Sequence, residues 1–500
     1  MKLFSDKYKN IISGKISCYD RVILTGTLPQ ICYSKGMTSY LKFQKIRIFD
    51  YSTFAEQFKE KIRKNAEQIS HDNNITIEFI KKKHIRKETI VQKVIEQRGA
   101  HPGLVHIISA MESCSSYKPW HDKATHKTYL KGDTSKCLHY YFYFIDDVFG
   151  LGYIRVPTWC PFKLQVYFNG HNWLASSLDK EKIKYTMLDN SFEYIEDFQK
   201  AQEISDDFQV FELHKFLDRL SEKYCPICQD FNQMYHWSAM QVEYATDIVF
   251  KNQKDLQIIY DTLISTAIHT VKPDNIATFL GKKLTNFQGE AGNNYNIRIE
   301  GSRLKHSMGK VSIKMYDKFK KILRIETTTN DLTFFKHYRY VEHKDGSRTK
   351  KNAAMKKSIY SLKPLTEILN SANRRYIEFI STLEDNSMGK KRLTKVTKDV
   401  KKNERTYKGF NFFKEEDLNF LRVIIRGEFN ISGFQNRNIR KVLKDKNTGQ
   451  VSRMLKRLKE HGLIKKVRNT YKYYLTKLGK VAIITGLKIE KLYLIPQLNY

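Results

Sequence analysis

The C-terminal segment, residues 409–500, has the pattern that most restricts what this chain can fold into. The helical spacing of its apolar residues predicts helices over 415–425, 437–443 and 448–461. Gly462 follows the third helix, in the position of a helix-ending glycine. Two short apolar stretches on either side of Arg468 predict a two-stranded hairpin, and a last helix starts soon after it. Three helices followed by a hairpin indicate a small separate domain.

The run from Gln450 to Lys466, with the Tyr-Leu-Thr-x-x-Gly sequence that ends at Gly479, resembles the recognition helix and wing of bacterial winged-helix regulators of the MarR type. The resemblance implies a third helix in the DNA major groove and a wing on the backbone. The residues that would bind DNA are Gln450, Arg453, Lys456, Arg457, Lys465, Lys466, Arg468 and Lys472. Arginine can read guanine with two hydrogen bonds, whereas lysine mostly meets phosphate. The alternative is a winged helix that makes protein contacts and has an ordinary solvated charged face.

The charge balance of the whole chain favours a polyanionic partner. Lys and Arg total 88 against 53 Asp and Glu, which gives a formal net charge of +35 over 500 residues. Hydrophobic residues make up 41% and aromatic residues 13%, so most of the chain should fold. DNA is therefore the expected partner, with structured RNA as the alternative, and a homodimer is compatible with the sequence.

Several classes of protein are disfavoured by what the sequence lacks. No apolar run is long enough to span a membrane, and the N-terminus lacks the apolar core of a signal peptide. The seven cysteines are odd in number and scattered along the chain, which fits a reducing compartment, so we expect a cytoplasmic location. The P-loop pattern G-x-x-x-x-G-K-[ST] is missing, as are the usual His-hydrophobe-His motif of relaxases and a GxSxG elbow.

Element patterns divide the chain into four parts and predict an α+β multidomain fold. We expect a mixed α/β domain over 1–200, an α+β domain with a central antiparallel sheet and helices over 201–385, and a Lys-rich linker over 386–408. The winged helix-turn-helix domain, 409–500, completes the chain.

The central segment alternates polar and apolar residues over several predicted strands. Residues 238–250 alternate clearly, with Glu243 and Asp247 on one side, and a helix follows over 255–270. Three short strands are predicted next, at 297–303, 311–317 and 322–328. The Tyr-Asp-Lys strand followed by an Arg-Ile-Glu strand resembles rolling-circle replication initiators, which nick DNA with a tyrosine near a divalent metal. The paired histidines of those proteins are missing here.

That resemblance supplies candidates for catalysis. By position, Glu326 and Asp317 would be the acidic residues, and Glu300 and Glu243 could join them across the sheet; Glu326, Asp317 and Glu300 would hold Mg²⁺ or Mn²⁺. The candidate nucleophiles are Tyr360 and Tyr376, since each has adjacent cations that could lower a phenol pKa.

Two other interpretations of the same residues remain open. Arg298, Glu300, Lys314, Arg324 and Glu326 share the parity of one polar sheet face, where cross-strand ion pairs would be ordinary, whereas Asp317 has the opposite parity. Alternatively, Asp20 at the entry of the first strand, with Asp146 or Asp147 and a later Glu, could form an RNase H-like carboxylate set that holds two metals.

Together these patterns suggest a protein of a bacterial mobile genetic element. The leading hypothesis is a metal-dependent DNA endonuclease or strand transferase, similar to a replication initiator or a transposase and placed on its target by the winged helix. The alternative is a transcriptional regulator or structured-RNA-binding protein without enzymatic activity. A metal-dependent cleavage assay separates these two hypotheses.

Overall fold

The computed structural model describes residues 4–81, 85–282, 291–298, 301–383, 394–426, 429 and 433–489. The chain divides into two compact units, Met1–Ser381 and Thr382–Tyr500. Both units mix helices and strands. Among the described residues, no helix is both long enough and apolar enough to cross a membrane.

The first unit is built on one sheet of eleven strands. In chain order these are β1 (Ile12–Thr27), β2 (Ile77–Ile80), β3 (Gly103–Asp122), β4 (Lys127–Asp146), β5 (Gly150–Pro157), β6 (Leu164–Asn169), β9 (His236–Phe250), β10 (Ala291–Arg298), β11 (Gly301–Met308), β12 (Val311–Lys318) and β13 (Ile322–Thr329). Their spatial order is β10-β11-β12-β13-β9-β1-β6-β5-β4-β3-β2. The sheet is mixed, because β2 and β3 run parallel while the other described pairs are antiparallel.

Two small hairpins complete the strands of this unit. They are β7 (Tyr185–Met187) with β8 (Phe192–Ile195), and β14 (Lys336–Glu342) with β15 (Arg348–Ala354). The predicted domain boundary at residue 200 coincides with no division of the structure, because β1 pairs with β9 along most of its length. Sequence could not foresee this pairing, since the two strands are more than 200 residues apart in the chain.

The central segment largely follows its polar–apolar alternation. Strands β9, β12 and β13 and the helix at 253–270 agree with the predictions, and β9 lies in the middle of the sheet. The predicted strand 297–303 is wrong, because Arg298 ends β10 and pairs with Gly301, where β11 begins. A second departure is Met240, which is skipped in the β1–β9 pairing and is exposed, although the alternation placed it with the apolar residues.

Helices cover both faces of the sheet. Those of the first unit are α1 (Phe4–Lys7), α2 (Ser34–Phe43), α3 (Tyr51–Asp72), α4 (Lys87–Arg98), α5 (Gly170–Lys180), α6 (Phe198–Asp206), α7 (Val210–Tyr224), α8 (Cys228–Phe231), α9 (Gln253–Thr270), α10 (Pro273–Phe279) and α11 (Leu362–Leu383). Residues 359–361, just before α11, form a short 3-10 helix. The sequence pattern predicts a helix over 355–383, whereas α11 begins only at Leu362.

The two faces of the sheet differ in what covers them. On the face called here the rear face, Tyr19, Tyr244 and Ile325 join one large core with residues of α3, α7, α9 and α11. The face that carries Glu243 and Glu326 is called here the acidic face. Near β1 it is covered by α5, α6 and the β7–β8 hairpin, which pack on Ile16 and Cys18, and near β3 it is covered by α4.

The second unit has its own apolar core. Its described elements are β16 (Val400–Lys402), β17 (Arg405–Tyr407), α12 (Glu415–Ile424), α13 (Asn436–Val442), α14 (Thr448–Glu460), β18 (Ile464–Lys466), β19 (Tyr473–Leu475) and α15 (Lys477–Ile489). The apolar residues predicted for the third helix are buried in this core, apart from Met454, which is half-buried.

The predicted linker, 386–408, is structured in its described part. Residues 394–397 form a helical turn, and β16 pairs with β17 in a hairpin. Val396 is fully buried in the core of the second unit, and Lys402 forms an ion pair with Glu460 of α14. A linker was expected because the segment is Lys-rich with little apolar periodicity, but Val396 and several polar contacts attach it to the core of the second unit.

Candidate functional site

A bulge in β1 aims Asp20 at the middle of the acidic face. Two residues of β1, Asp20 and Arg21, lie opposite the single residue Glu243 of β9, where the register between the strands shifts. An extra residue of this kind bends the strand and redirects a side chain, and such bulges are common beside active sites. Asp20 is buried as a result, while Arg21 is exposed and lies over the ring of Tyr167.

Glu326 of β13 completes a group of three carboxylates. One carboxylate oxygen each from Asp20, Glu243 and Glu326 lies within 4.8 Å of the others. The three residues come from the neighbouring strands β1, β9 and β13. Only 2% of Glu326 is exposed, so the group is held inside the structure.

Lys314 and Tyr316 of β12 bind this carboxylate group from the side. The ammonium of Lys314 donates to Glu326 at 2.5 Å and to Glu243 at 3.2 Å, and the Tyr316 hydroxyl donates to Glu326 at 2.7 Å. Burial and the neighbouring carboxylate of Glu326 raise the pKa of Glu243. Burial alone would lower the pKa of Lys314, but the two glutamates outweigh it and raise that pKa.

Next to the carboxylates, Arg324 forms a second buried charge network. Its guanidinium donates to both carboxylate oxygens of Asp247, at 2.6 and 2.7 Å, and contacts Asp20 at 3.3 Å. His171 of α5 lies 3.2 Å from the Asp20 carboxylate. Burial would raise the pKa of Asp247, but the Arg324 guanidinium and His171 lower it to about 2. Asp20, although buried, also has a lowered pKa because of Arg324.

The sequence therefore identified part of this site. Glu326 and Glu243 lie together as proposed, and the shared parity of Lys314, Arg324 and Glu326 places all three on the acidic face. Asp20 was assigned to a separate set, with Asp146 or Asp147 and an unspecified later Glu. The Asp146 carboxylate instead accepts hydrogen bonds from the main chain of the turn that follows it.

Of the other two predicted metal ligands, Asp317 is the one that lies among the described residues. Asp317 has the opposite parity to Lys314 and Tyr316 on β12, so its side chain points to the rear face, where burial raises its pKa and Asp261 of α9 adds to that effect. The prediction that Asp317 binds the metal with Glu326 is thus wrong in this structure. Glu300 lies outside the described residues.

Both candidate nucleophilic tyrosines lie with the helices of the rear face. Tyr376 of α11 is fully buried, and its hydroxyl makes a hydrogen bond of 3.0 Å with His306. Burial raises the pKa of Tyr376 well above its usual value, against the lowering that nearby cations suggested. Tyr360 is half-exposed, and its hydroxyl lies 2.8 Å from Nδ1 of His214 on α7. The sheet separates both hydroxyls from the carboxylates, so neither tyrosine can serve as their nucleophile in this structure.

In the second unit, most of the predicted DNA-binding cations are on the surface. Arg453 and Lys456 are exposed on α14, and the hairpin exposes Lys465, Lys466 and Arg468. Lys472 is half-buried, with its ammonium 5.7 Å from the ring of Tyr474. Gln450 acts at the start of α14, where its side chain and that of Asn447 cap each other's main-chain N–H.

Arg457, by contrast, is occupied inside the second unit. Its guanidinium makes two hydrogen bonds to the Asp417 carboxylate, at 2.7 and 3.0 Å, and donates to the main-chain oxygens of Lys408 and Gly409. It also lies 4.0 Å from the ring centre of Phe410. These contacts favour a structural role for Arg457, and its contact with DNA stays a prediction. Helical spacing placed it beside Arg453 and Lys456, but could not reveal the acid that binds it.

A scan against protein-family models found no match for this chain, and searches of curated proteins and of solved structures found none either.

Proposed function

We propose that this chain is a nucleic-acid-processing protein whose first unit cleaves a phosphodiester bond with the help of Mg²⁺ or Mn²⁺. The observation that carries the proposal is the convergence of Asp20, Glu243 and Glu326 to within 4.8 Å. Buried like charges of this kind are costly unless a cation or a proton compensates them. Three oxygen donors are the ligand type that both metals prefer.

The chemistry of the donors fits a divalent cation, with Lys314 as its neighbour. Asp20, Glu243 and Glu326 would hold the metal, which when bound would polarise a phosphate oxygen and stabilise the leaving oxygen. The Lys314 ammonium already contacts Glu243 and Glu326, so it would share them with the metal or turn towards a substrate phosphate. Because both tyrosine candidates lie across the sheet, water is the nucleophile that this arrangement favours.

A cavity on the acidic face offers an approach for the substrate strand. It measures about 280 Å³, and its lining includes Ile23 of β1, Met240 of β9 and Gln165 of β6. Ile23 is three residues beyond Asp20, or about 10 Å along the strand. Two cations line it: Arg155, which forms an ion pair with Glu112, and the exposed Lys163, which suits a phosphate backbone.

The second unit would place the first on duplex DNA as a winged helix. In this proposal α14 is the recognition helix, since Val451, Leu455 and Leu458 pack inward while Arg453 and Lys456 face solvent. The β18–β19 hairpin would be the wing, with exposed cations for phosphate contacts. A regulator without catalytic activity would use the same unit, so cleavage is what separates the two hypotheses.

The test is nicking of supercoiled plasmid by the full chain, with Mg²⁺, with Mn²⁺ and with a chelator. Glu243→Gln is the most suitable variant, because Glu243 is the least buried of the three acids and its amide replacement keeps the shape. Glu193→Gln, which removes one partner of the Lys321 ion pair at the surface, is the matched control. We expect metal-dependent nicking that falls by at least about a hundredfold in Glu243→Gln only, as when metal stabilisation of a transition state is lost. Nicking that is absent, independent of metal, or unchanged in Glu243→Gln contradicts the proposal and favours binding without catalysis.

A further inference from the structure

The β14–β15 hairpin of the first unit is a separate two-stranded sheet with two prominent exposed rings. Tyr338 is 72% exposed and Tyr340 is 67% exposed. They are two residues apart on β14, so both rings point to the same face of the hairpin, about 7 Å apart along the strand. Single exposed apolar residues are normal at a surface, but two adjacent rings on one face are a small aromatic platform.

Cations lie beside this platform and elsewhere on the hairpin. Tyr340 pairs with Lys350 on β15, and Lys336 precedes Tyr338 on the same face of β14. Between residues 336 and 354 the cations are Lys336, Arg339, Lys344, Arg348, Lys350 and Lys351, and the acids are Glu342 and Asp345. The hairpin therefore has four more cations than acids, a surplus that complements a polyanion.

We propose that the β14–β15 hairpin binds single-stranded nucleic acid by stacking unpaired bases on Tyr338 and Tyr340. Aromatic rings with neighbouring cations are how sequence-tolerant proteins hold single strands. In a duplex the bases already stack on one another, so the platform selects a strand whose bases are free. This inference rests on the proposed function, since it identifies the single strand as the form of nucleic acid that the first unit holds.

The test measures binding of fluorescein-labelled oligo-deoxythymidine and oligo-uridine to the full chain by fluorescence anisotropy. These two probes distinguish DNA from RNA as the source of the strand. In the Tyr338→Ala/Tyr340→Ala variant we expect affinity for at least one probe to fall by about tenfold to a hundredfold, because the stacking rings are gone. Both side chains face solvent, so the variant should keep the circular dichroism spectrum of the wild type.

Three controls make the result specific. Tyr338→Phe/Tyr340→Phe keeps both rings and should bind within about twofold of the wild type, because stacking needs the ring and not the hydroxyl. Tyr194→Ala removes a half-exposed tyrosine of β8 and should have no effect. Binding of blunt duplex DNA, assigned above to the second unit, should not change in any of these variants.

The inference is overturned if the wild type binds neither single strand, if the alanine variant binds like the wild type, or if the phenylalanine variant loses as much affinity as the alanine variant. These results are separable from failure of the proposed cleavage, because the plasmid assay follows Glu243 while this one follows Tyr338 and Tyr340. If the plasmid is cleaved as proposed but the alanine variant of the hairpin binds like the wild type, this inference alone fails.

Discussion

Among the described charged residues that contact the carboxylate group of Asp20, Glu243 and Glu326, Arg324 is the most deeply buried. Its side chain has no exposed surface, and its guanidinium is matched by the two oxygens of Asp247 and by Asp20. A buried ion pair of this kind contributes little net stability compared with an apolar pair, but removing one partner leaves a charge without compensation. Asp247 is therefore a residue on which the fold around the site depends.

We expect Asp247→Asn to destabilise the first unit by about 3 kcal/mol, the lower end of the range for breaking a buried ion pair, because Arg324 loses its two closest anionic contacts and keeps only the longer one to Asp20. Urea unfolding of the full chain, followed by tryptophan fluorescence, measures the effect. Asp189→Asn is the matched control, since Asp189 forms an ion pair with Lys318 but its side chain is 76% exposed. The control should cost at most about 1 kcal/mol. If Asp247→Asn loses no more unfolding free energy than Asp189→Asn, the burial of Arg324 does not depend on Asp247.

The same pair gives a pH dependence with a definite sign. The pKa of Asp247 is lowered from 3.8 to about 2, so the carboxylate binds fewer protons in the folded chain than in the unfolded chain. The stability it contributes is complete above its usual pKa and is lost as the pH falls from about 4 towards 2. The Asp247→Asn variant lacks this part of the acid sensitivity, so its unfolding free energy should change less over that interval.

How much of the site could be predicted depends on the distance in sequence between its parts. Alternation along the two neighbouring strands β12 and β13 was enough to place Glu326 with Lys314 and Arg324 and to separate Asp317 from them. Asp20 could not be matched to Glu243, because their meeting depends on a pairing between distant strands and on a bulge that leaves no signature in the sequence. Local sequence patterns indicate on which face of a strand a residue lies. Which residues meet across the sheet depends on the order in which the strands pair.

At the scale of elements, α14 shows two different uses of cations on one helix. Arg453 and Lys456 face solvent, while Arg457 fastens Asp417 and the main chain of residues 408 and 409. A prediction from helical spacing assigns all three to one polar face. Asp417 of α12 binds Arg457, so Arg453 and Lys456 are the two that are left to contact a ligand.

We expect Arg453→Ala/Lys456→Ala to weaken duplex DNA binding by the full chain, by about 1–3 kcal/mol for each base that these side chains read. The slope of log affinity against log salt should become shallower by roughly one unit for each phosphate that is no longer neutralised. Lys477→Ala/Lys480→Ala, two exposed lysines of α15, is the control with the same reduction in charge. Electrophoretic mobility shifts at several salt concentrations measure both quantities. Equal weakening in the control would assign binding to net charge and remove α14 as the recognition helix.

At the scale of the whole molecule, the sequence pattern predicted a separate C-terminal unit but placed its start too late in the chain. The apolar pattern starts at Phe410, which set the predicted start at 409, whereas the described structure already includes 394–408 in the same unit. In the first unit the sequence placed a boundary at residue 200 where the structure has none, because one long sheet joins two segments that differ in their local patterns. Local composition indicates where a new hydrophobic pattern begins, but does not identify which segments share a core.

We expect a fragment of residues 382–500 to be more stable than one of residues 409–500. The shorter fragment loses the buried Val396 and the Lys408 main-chain oxygen that Arg457 binds. Burial of a valine contributes about 1.5–3 kcal/mol, which corresponds to a Tm difference of roughly 10 °C for a unit of this size. Thermal melts followed by circular dichroism test this. Val396→Ala in the longer fragment should lower its Tm in the same direction, and equal Tm values for both fragments would refute the revised boundary.

The most direct test of the carboxylate site is Mn²⁺ binding by the full chain, measured from the free Mn²⁺ signal in electron paramagnetic resonance. If Asp20, Glu243 and Glu326 hold a divalent cation, the wild type should bind Mn²⁺ and Mg²⁺ should compete for it. Glu243→Gln should weaken that binding by about tenfold or more, or at least about 1.4 kcal/mol, while Glu193→Gln should leave it unchanged. Absence of Mn²⁺ binding in the wild type, or equal binding in Glu243→Gln, would mean that Lys314 and Arg324 already compensate these carboxylates without a metal.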